Sequence, residues 1–460
     1  MHSVESMEFW NLTRDVEIGA NSYLLRIKGK SIILDSGMHP KREGFAATPN
    51  FLPVAQGGVD SIIVTHAHQD HIGSLPFLTR REPKARVFMT EPTARIADVM
   101  LHNSVNVMLR QKEEHGIADY PLFTHRGVEF SRQAWQPCAV KRRLNLGDER
   151  GSDGLTFEFF HSGHILGAAG VLIRGEGKTF LYTGDVNFEN QTLIRGAEFP
   201  EENVDVLLME TTRGDSPTLP GYTRADEEER LTKAIRGAFE RGGSVTIPVF
   251  ALGKTQELLA ILWRMRLRGL LAPVPIYIGG LSTKLSGLYD ALSHDAQRAH
   301  PELQLLHELA PYVLSGNEVY SIAPRKKCIF ALSSGMMTEN TLSNLFARRV
   351  LGDETQSLFF VGYSDPESPA GRIRSANPGD EVVLDPKQPP IKLRCHIEEF
   401  NFSSHANRES LLTYALALRP RKIVLVHGDR PAIEWFQLKL YRELPETEVI
   451  IPEPGKGIVL

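Results

Sequence analysis

Apolar residues fall in short runs that end at turn residues, and the period of those runs changes along the chain. Ser22-Tyr23-Leu24-Leu25-Arg26-Ile27 and Ser31-Ile32-Ile33-Leu34 flank Lys28-Gly29-Lys30, which predicts a hairpin. The strand-like run 61–64 precedes Thr65-His66-Ala67-His68-Gln69-Asp70-His71. A helix is expected over 73–79, a strand over 86–89, and a helix from 93 to about 116 with Leu101, Val105 and Leu109 on one face. Further strands are expected at 155–160, 171–173, 179–182 and 204–209. From about residue 213 the period lengthens. Thr223 can cap a helix carrying Leu231, Ala234, Ile235, Ala238 and Phe239, and Gly242-Gly243 stops it. Strands at 244–249, 276–280, 328–332 and 358–362 then alternate with helical segments, the pattern of a separate parallel sheet. The segment 377–390 is turn-rich and suggests a return crossing, after which 423–426 is again a strand.

The functional signal lies where these strands stop. Asp35, His66, Asp185 and Glu210 each follow an apolar run. The segment 66–71 packs four candidate ligands into six positions, and imidazole with carboxylate suits Zn²⁺ and similar ions. A histidine-rich surface turn is the plainer alternative, and the rest of the chain decides against it. Two neighbouring ions need about three protein ligands each and something between them. His66, His68 and His164 are assigned to one ion and Asp70, His71 and His427 to the other, with Asp185 bridging. His161, three positions before His164, is the alternative ligand; Gly163 beside His164 permits a close backbone approach.

Composition narrows the classes. The chain has 460 residues, which favours two domains or one domain with a large insertion. A formal net charge of −4 offers no global basic field for nucleic acid, so an anionic ligand needs a local patch or the metals. Cys138, Cys328 and Cys395 are odd in number and far apart, which reads as free thiols in a reducing compartment. No run approaches membrane-spanning length and no signal-peptide pattern opens the chain, so no membrane partner and a cytoplasmic location are expected.

The run Asp35, His66-Ala67-His68-Gln69-Asp70-His71, His164 and Asp185 resembles the metallo-β-lactamase superfamily. Glu210, His405 and His427 resemble the three further motifs of its β-CASP branch, as do 248–257 and Ser334-Gly335-Met336-Met337. The resemblance implies an α/β protein: an αββα metallo-β-lactamase sandwich, 1–208 with 391–460, interrupted by a β-CASP α/β domain at 209–390. It implies a substrate strand held in the cleft between the domains and phosphodiester hydrolysis by a water that two zinc ions activate. Asp35 would support the ligands and Asp70 would take part in catalysis. His405 would be the general acid, held by Glu210. Histidine rather than an apolar residue at the third motif, His427, points to single-stranded RNA, with DNA as the second choice. Phe402-Ser403-Ser404-His405-Ala406 resembles the cleavage-factor endonucleases more than ribonuclease J. With no KH domain expected ahead of residue 1 and no further C-terminal domain, the short bacterial or archaeal ribonucleases are nearest. Dimers are common in the family, so a homodimer is expected.

The activity expected is endonucleolytic, with exonuclease activity beside it. Two other enzymes fit the metal motif: a DNA nuclease of the same family, or a hydrolase of small esters or thioesters. A scaffold paralogue without cleavage is a third alternative, disfavoured by the complete ligand set. Lys254 is a candidate phosphate contact, although Gly253-Lys254-Thr255 is no P-loop because Pro248 occupies the required glycine position. Ser333, Ser334 and Thr338 are candidate substrate contacts at an expected helix N-terminus. Arg325-Lys326-Lys327 is the densest basic run of the inserted region and reads as solvated, and Cys395-His396 reads as packing. At 364–372, where the family usually has a glycine-threonine-leucine-glycine-type turn, the chain has Ser364-Asp365-Pro366-Glu367-Ser368-Pro369-Ala370-Gly371-Arg372.

Overall fold

A computed structural model describes residues 7–147, 154–200, 203–322 and 326–460, so Arg325 of the basic run lies outside the described residues. The chain divides into two compact units: Met1–Asn190, Arg195–Thr218 and Ser404–Leu460 form one, Gln191–Ile194 and Leu219–Ser403 the other. The boundaries expected from the sequence are 208/209 and 390/391.

The first unit contains two seven-stranded sheets. In one the order is Gly457–Val459, Glu8–Asn11, Tyr23–Ile27, Lys30–Leu34, Ser61–Ile63, Arg86–Thr90, Trp135–Cys138. In the other it is Glu448–Ile450, Lys422–Val426, Val206–Glu210, Lys178–Tyr182, Ala169–Gly175, Thr156–His161, Leu144–Asn145. Their facing side chains interlock in one apolar core in which Phe9, Tyr23, Ile63, Phe157, Phe180 and Leu208 are all buried. The expected hairpin is present, with Tyr23 opposite Leu34 and Ile27 opposite Lys30. Helices Arg408–Leu418 and Arg430–Glu443 cover the outer face of the second sheet through Leu411, Ala415, Ile433 and Phe436. The long helix runs Glu91–His115, capped by Thr90, whose hydroxyl accepts from Thr93 N, and ended by Gly116 at φ 70°. Leu101 and Val105 are buried on it, but Leu109 is 40 % exposed, so the apolar stripe drifts to the surface near that end. Two helices replace the one expected: a single turn, Gln69–Ile72, that takes in Asp70 and His71, then Leu75–Arg81 with Pro76 in its first turn.

The second unit is built on a six-stranded sheet ordered Tyr312–Leu314, Ile276–Gly279, Ile329–Leu332, Val245–Pro248, Ser357–Phe360, His396–Glu399, parallel throughout. Its four inner strands are buried throughout, as parallel strands between helices must be, and its two edge strands are largely exposed. Thr223 and Asp226 form a reciprocal capping box that starts the helix Arg224–Glu240. After Leu332 the expected helix does not begin at once. Met337 and Asn340 lie at φ 55° and 61°, a left-handed backbone that a helix excludes, and the helix starts only at Leu342. Ser333, Ser334 and Thr338 therefore sit in a loop, not at a helix N-terminus. Ser334 and Thr338 share a hydroxyl–hydroxyl hydrogen bond of 3.2 Å. The segment 364–372 enters a short helix, Pro369–Ser375, whose N-cap Ser368 accepts from Gly371 N. Cys395 is buried in the apolar cluster beside it, as packing requires.

Candidate metal centre

The first sheet delivers Asp35 and His66 from neighbouring parallel strands, and the second delivers Asp185, Glu210 and His427. Apolar residues fix each strand in the core, so polar residues at its end or within three positions past it emerge at one rim of the sandwich. Asp35 and His427 adopt φ of 59° and 50°. Such backbone is uncommon outside glycine and costs about 1–3 kcal/mol for a side chain like histidine, a strain typical of functional sites.

The segment 66–71 is fixed by its own carbonyls. Met38 N donates to Gln69 O at 3.0 Å, Asn21 N to Asp70 O at 2.9 Å and Ser36 N to His71 O at 2.8 Å. Ser104 on the long helix donates its hydroxyl to the Gln69 side chain at 2.7 Å. Asp35 is wholly buried and accepts from Thr65 N at 2.7 Å, the Thr65 hydroxyl at 2.8 Å and the Tyr182 hydroxyl at 2.9 Å. Its Oδ2 also lies 2.8 Å from His71 Nδ1. With Nδ1 carrying the proton toward that carboxylate, His71 turns Nε2 into the site. His164 is set the same way, with Nδ1 2.9 Å from Ser404 O. The Thr212 hydroxyl lies 2.8 Å from His427 Nδ1.

Two groups result. His68 Nδ1 stands 3.1 Å from His66 Nε2 and 3.1 Å from His164 Nε2, and Asp185 Oδ2 is 3.5 Å from each of those Nε2 atoms. In the other group, His427 Nε2 is 3.3 Å from Asp70 Oδ2 and 3.4 Å from His71 Nε2, with Asp70 Oδ2 3.6 Å from His71 Nε2. Asp185 Oδ1 lies 3.4 Å from His71 Nε2, so each oxygen of this carboxylate faces one group. That oxygen is buried without a hydrogen-bond partner. His164 is in the first group and His161 is in neither.

The donors fit cations. A tetrahedral ion with nitrogens about 2.0–2.1 Å away holds them about 3.3 Å apart. Burial holds His66 and His164 well below the usual imidazole range, and burial lowers His68 to about 4, so three neutral nitrogens face one point. Lone pairs at that separation repel unless a cation lies between them. Burial raises Asp70, but His71 and His427 outweigh it and bring the carboxyl down to about 2. Burial likewise opposes ionisation of Asp185, and His427 and His71 overcome it.

Beside these groups, His405 Nδ1 lies 3.1 Å from Glu210 Oε2 and 3.2 Å from Oε1, and its Nε2 is 3.8 Å from Asp185 Oδ2. Glu210 is fully buried and also accepts from Val186 N at 2.7 Å. The structure therefore gathers Asp35, His66, His68, Asp70, His71, His164, Asp185, Glu210, His405 and His427 in one place. Asn21, Thr65, Tyr182, Thr212 and Ser404 join them without having been singled out in the sequence; each works through hydrogen bonds set by tertiary approach. Lys254, Ser333, Ser334 and Thr338 belong to the second unit, where Lys254 Nζ contacts the carbonyl of Phe402.

Paired histidine–carboxylate groups at the rim of an αββα sandwich define the class as a metallo-β-lactamase-type metal centre. Comparison with known proteins extends this. Residues 16–237 match the metallo-β-lactamase superfamily, 255–373 the Beta-Casp domain, and 390–452 the RNA specificity domain of Zn-dependent metallo-hydrolases. The chain belongs to the β-CASP branch of that superfamily. It is 30 % identical over 454 residues to cleavage and polyadenylation specificity factor subunit 3 of Dictyostelium discoideum, covering 96 % of this chain and 56 % of that protein. It is 30 % identical over 440 residues to cleavage and polyadenylation specificity factor 73 of Drosophila melanogaster (93 % and 60 %). It is 28 % identical over 440 residues to endoribonuclease YSH1 of Saccharomyces cerevisiae (92 % and 55 %). The chain thus spans less than two thirds of the length of each of these relatives. The fold is shared with the crystal structure of a protein of unknown function from Enterococcus faecalis V583, at 16 % identity and a TM-score of 0.56 over 99 % of this chain and all of that one.

Proposed function

We propose that the protein is a two-zinc ribonuclease that cleaves phosphodiester bonds in single-stranded RNA, as an endonuclease with exonuclease activity beside it. The observation that carries this is His405, hydrogen-bonded through Nδ1 to the buried Glu210 with Nε2 directed at Asp185. A metal centre alone serves many hydrolyses; a histidine so placed serves one that expels a poor leaving oxygen.

His66, His68 and His164 would hold one zinc ion, Asp70, His71 and His427 the other, and Asp185 would lie between them. Bound there, the ions supply Lewis acidity that lowers the pKa of water and neutralises charge on phosphoryl oxygens. The chain's own groups do the rest. Asp35 holds His71 in the tautomer that presents Nε2. Glu210 accepts from His405 Nδ1, which leaves Nε2 to hand its proton to the leaving oxygen. Lys254, Ser333, Ser334 and Thr338 would contact the substrate. The match to an RNA specificity domain and the relatives named endoribonuclease support RNA over DNA or a small ester. A homodimer and a cytoplasmic location belong to the same proposal. The second is supported by Cys138, Cys328 and Cys395, none of which is in a disulfide. No helix among the described residues is long and apolar enough to cross a membrane.

End-labelled RNA, single-stranded DNA and duplex DNA, each incubated with and without a chelator, test the reading. RNA alone should be cut, at internal sites first, and only in the presence of metal. Turnover of a small ester with no nuclease activity would overturn it.

A further inference from the structure

The second unit carries an aromatic crevice at the carboxyl ends of its parallel strands. Phe250 follows the strand Val245–Pro248, Gly335 follows Ile329–Leu332, and Gly362 and Tyr363 follow Ser357–Phe360; with Lys254 and Phe360 these residues line one recess. The topology makes the position meaningful. From Val245–Pro248 the chain runs through the helix Lys254–Leu267 to Ile276–Gly279, beyond its neighbour Ile329–Leu332. From Ile329–Leu332 it runs through Leu342–Val350 to Ser357–Phe360, beyond Val245–Pro248. Two adjacent strands thus send their connections in opposite directions. In open α/β sheets that switch point, at the carboxyl ends, is where ligands bind.

The lining specifies the ligand. Tyr363 is 63 % exposed and Phe250 36 %, although a chain of this size has ample core to hide rings in. Glycine flattens the floor: a Cβ on Gly335 would stand 3.0 Å from the Phe250 ring, and one on Gly362 would meet the Lys254 stem at 3.4 Å. The recess therefore offers two aromatic surfaces, smooth backbone, and a lysine stem beside them. A flat π-system that carries its negative charge outside the recess suits these walls. An unpaired nucleobase has that form, with its phosphates left near the lysine.

The geometry points to this recess as a nucleobase subsite, in which Tyr363 and Phe250 stack an unpaired base of the RNA. The inference rests on the ribonuclease reading. It adds that the second unit grips one base of the substrate by its face and not by its edges, so that position tolerates any base.

Abasic scanning tests it. The full chain carrying His405→Ala should bind RNA while cutting it far more slowly, and its affinity for a short fluorescein-labelled single-stranded RNA is read by anisotropy. The same RNA is then made with a single abasic nucleotide at each position in turn. One position should lose about tenfold in affinity or more. Adding Tyr363→Ala should cost a similar factor on the intact RNA and nothing further on the RNA abasic at that position, while Tyr363→Trp retains binding. Phe250→Leu repeats the test from the other ring, and an unchanged melting temperature shows that each variant is folded. Equal losses for Tyr363→Ala on every abasic RNA, or no loss at all, overturn the subsite. Failure of the His405→Ala chain to bind any RNA would instead overturn the ribonuclease reading itself.

Discussion

The carbonyl of Asp70 occupies the space where a side chain on Gly37 would lie: a Cβ built on Gly37 stands 1.7 Å from Asp70 O. The backbones of the Asp35 turn and the ligand segment can close on one another only because residue 37 is glycine. Gly37→Ala should therefore part them, breaking the bonds from Ser36 N and Met38 N to the ligand segment. A clash with backbone offers no rotamer escape, so the expected loss is about 3 kcal/mol or more by urea denaturation. The variant should also hold fewer zinc ions per chain, measured by atomic emission after dialysis. Full metal content in the variant would show that the segment adjusts.

His405→Ala should lower single-turnover RNA cleavage by about 10²–10⁴-fold, the usual worth of a general acid, while two zinc ions stay bound. Loss of an ion in that variant would make His405 a ligand, an option its 3.8 Å approach to Asp185 keeps chemically reasonable. Glu210→Gln keeps the shape but removes the charge that faces Nδ1. It should cost less than His405→Ala, and the pair of substitutions should cost little more than His405→Ala alone.

Tyr182 lies in an apolar strand and is 1 % exposed, and its hydroxyl donates to Asp35 Oδ2 at 2.9 Å. Tyr182→Phe removes one donor from a carboxylate that keeps two others on Thr65. The expected cost is about 1–2 kcal/mol of stability. Zinc affinity should fall by about tenfold, because Asp35 orients His71 and outer partners of this kind tune their ligands. A competition titration with a chromophoric chelator measures the second effect separately from the first.

The ligands were legible because chemistry and periodicity coincide at strand ends: an apolar run stops, and the polar residues at or just past its end have to emerge at the rim. Asp35, His66, Asp185, Glu210 and His427 all follow that rule. The partners that aim them were not legible. Tyr182 reads as core, Asn21 and Thr65 as turn residues, and the Ser404 contribution is a carbonyl that no side-chain pattern encodes. The late start of the helix at Leu342 was hidden for a related reason. Met337 does not announce its left-handed backbone as glycine would, while Asn340 is a type that tolerates it but more often marks a turn or cap. The pairing of Tyr363 with Phe250 depends on the sheet order, which sets their strands side by side.

The cysteines give a test that needs no substrate. Burial pushes the Cys138 thiol up to about 11 and the Cys395 thiol up to about 12. A raised thiol pKa disfavours the reactive thiolate, so at pH 8 only about one Cys138 in a thousand is ionised. Alkylation by iodoacetamide at pH 8 should be slow in the folded chain and should rise about tenfold per pH unit up to about pH 11. Cys138, which is part-exposed, should react before the buried Cys395 and Cys328. The same shifts stabilise the fold fully below the ordinary thiol pKa and lose that contribution as pH climbs through the raised values. Fast labelling of Cys395 at pH 8 would mean that its cluster with Leu358, Ile373 and Leu393 opens readily.

Removing the metal should destabilise the first unit more than the second. His66, His68 and His164 bring three neutral ring nitrogens to within 3.1 Å of one another in two of their pairings, and without a cation these lone pairs repel. An ion that binds only the folded state adds about 2.7 kcal/mol at a hundred times its dissociation constant, and a chelator withdraws that amount. Dialysis against chelator should lower the melting transition, zinc should restore it, and magnesium should not, because imidazole-rich groups suit zinc and magnesium prefers oxygen. Hydrogen exchange locates the effect. Loss of protection confined to 61–72, 164–187 and 426–428 is the expected result. Equal loss across the sheet at 245–248 and 329–332 would show that the ions support the second unit as well.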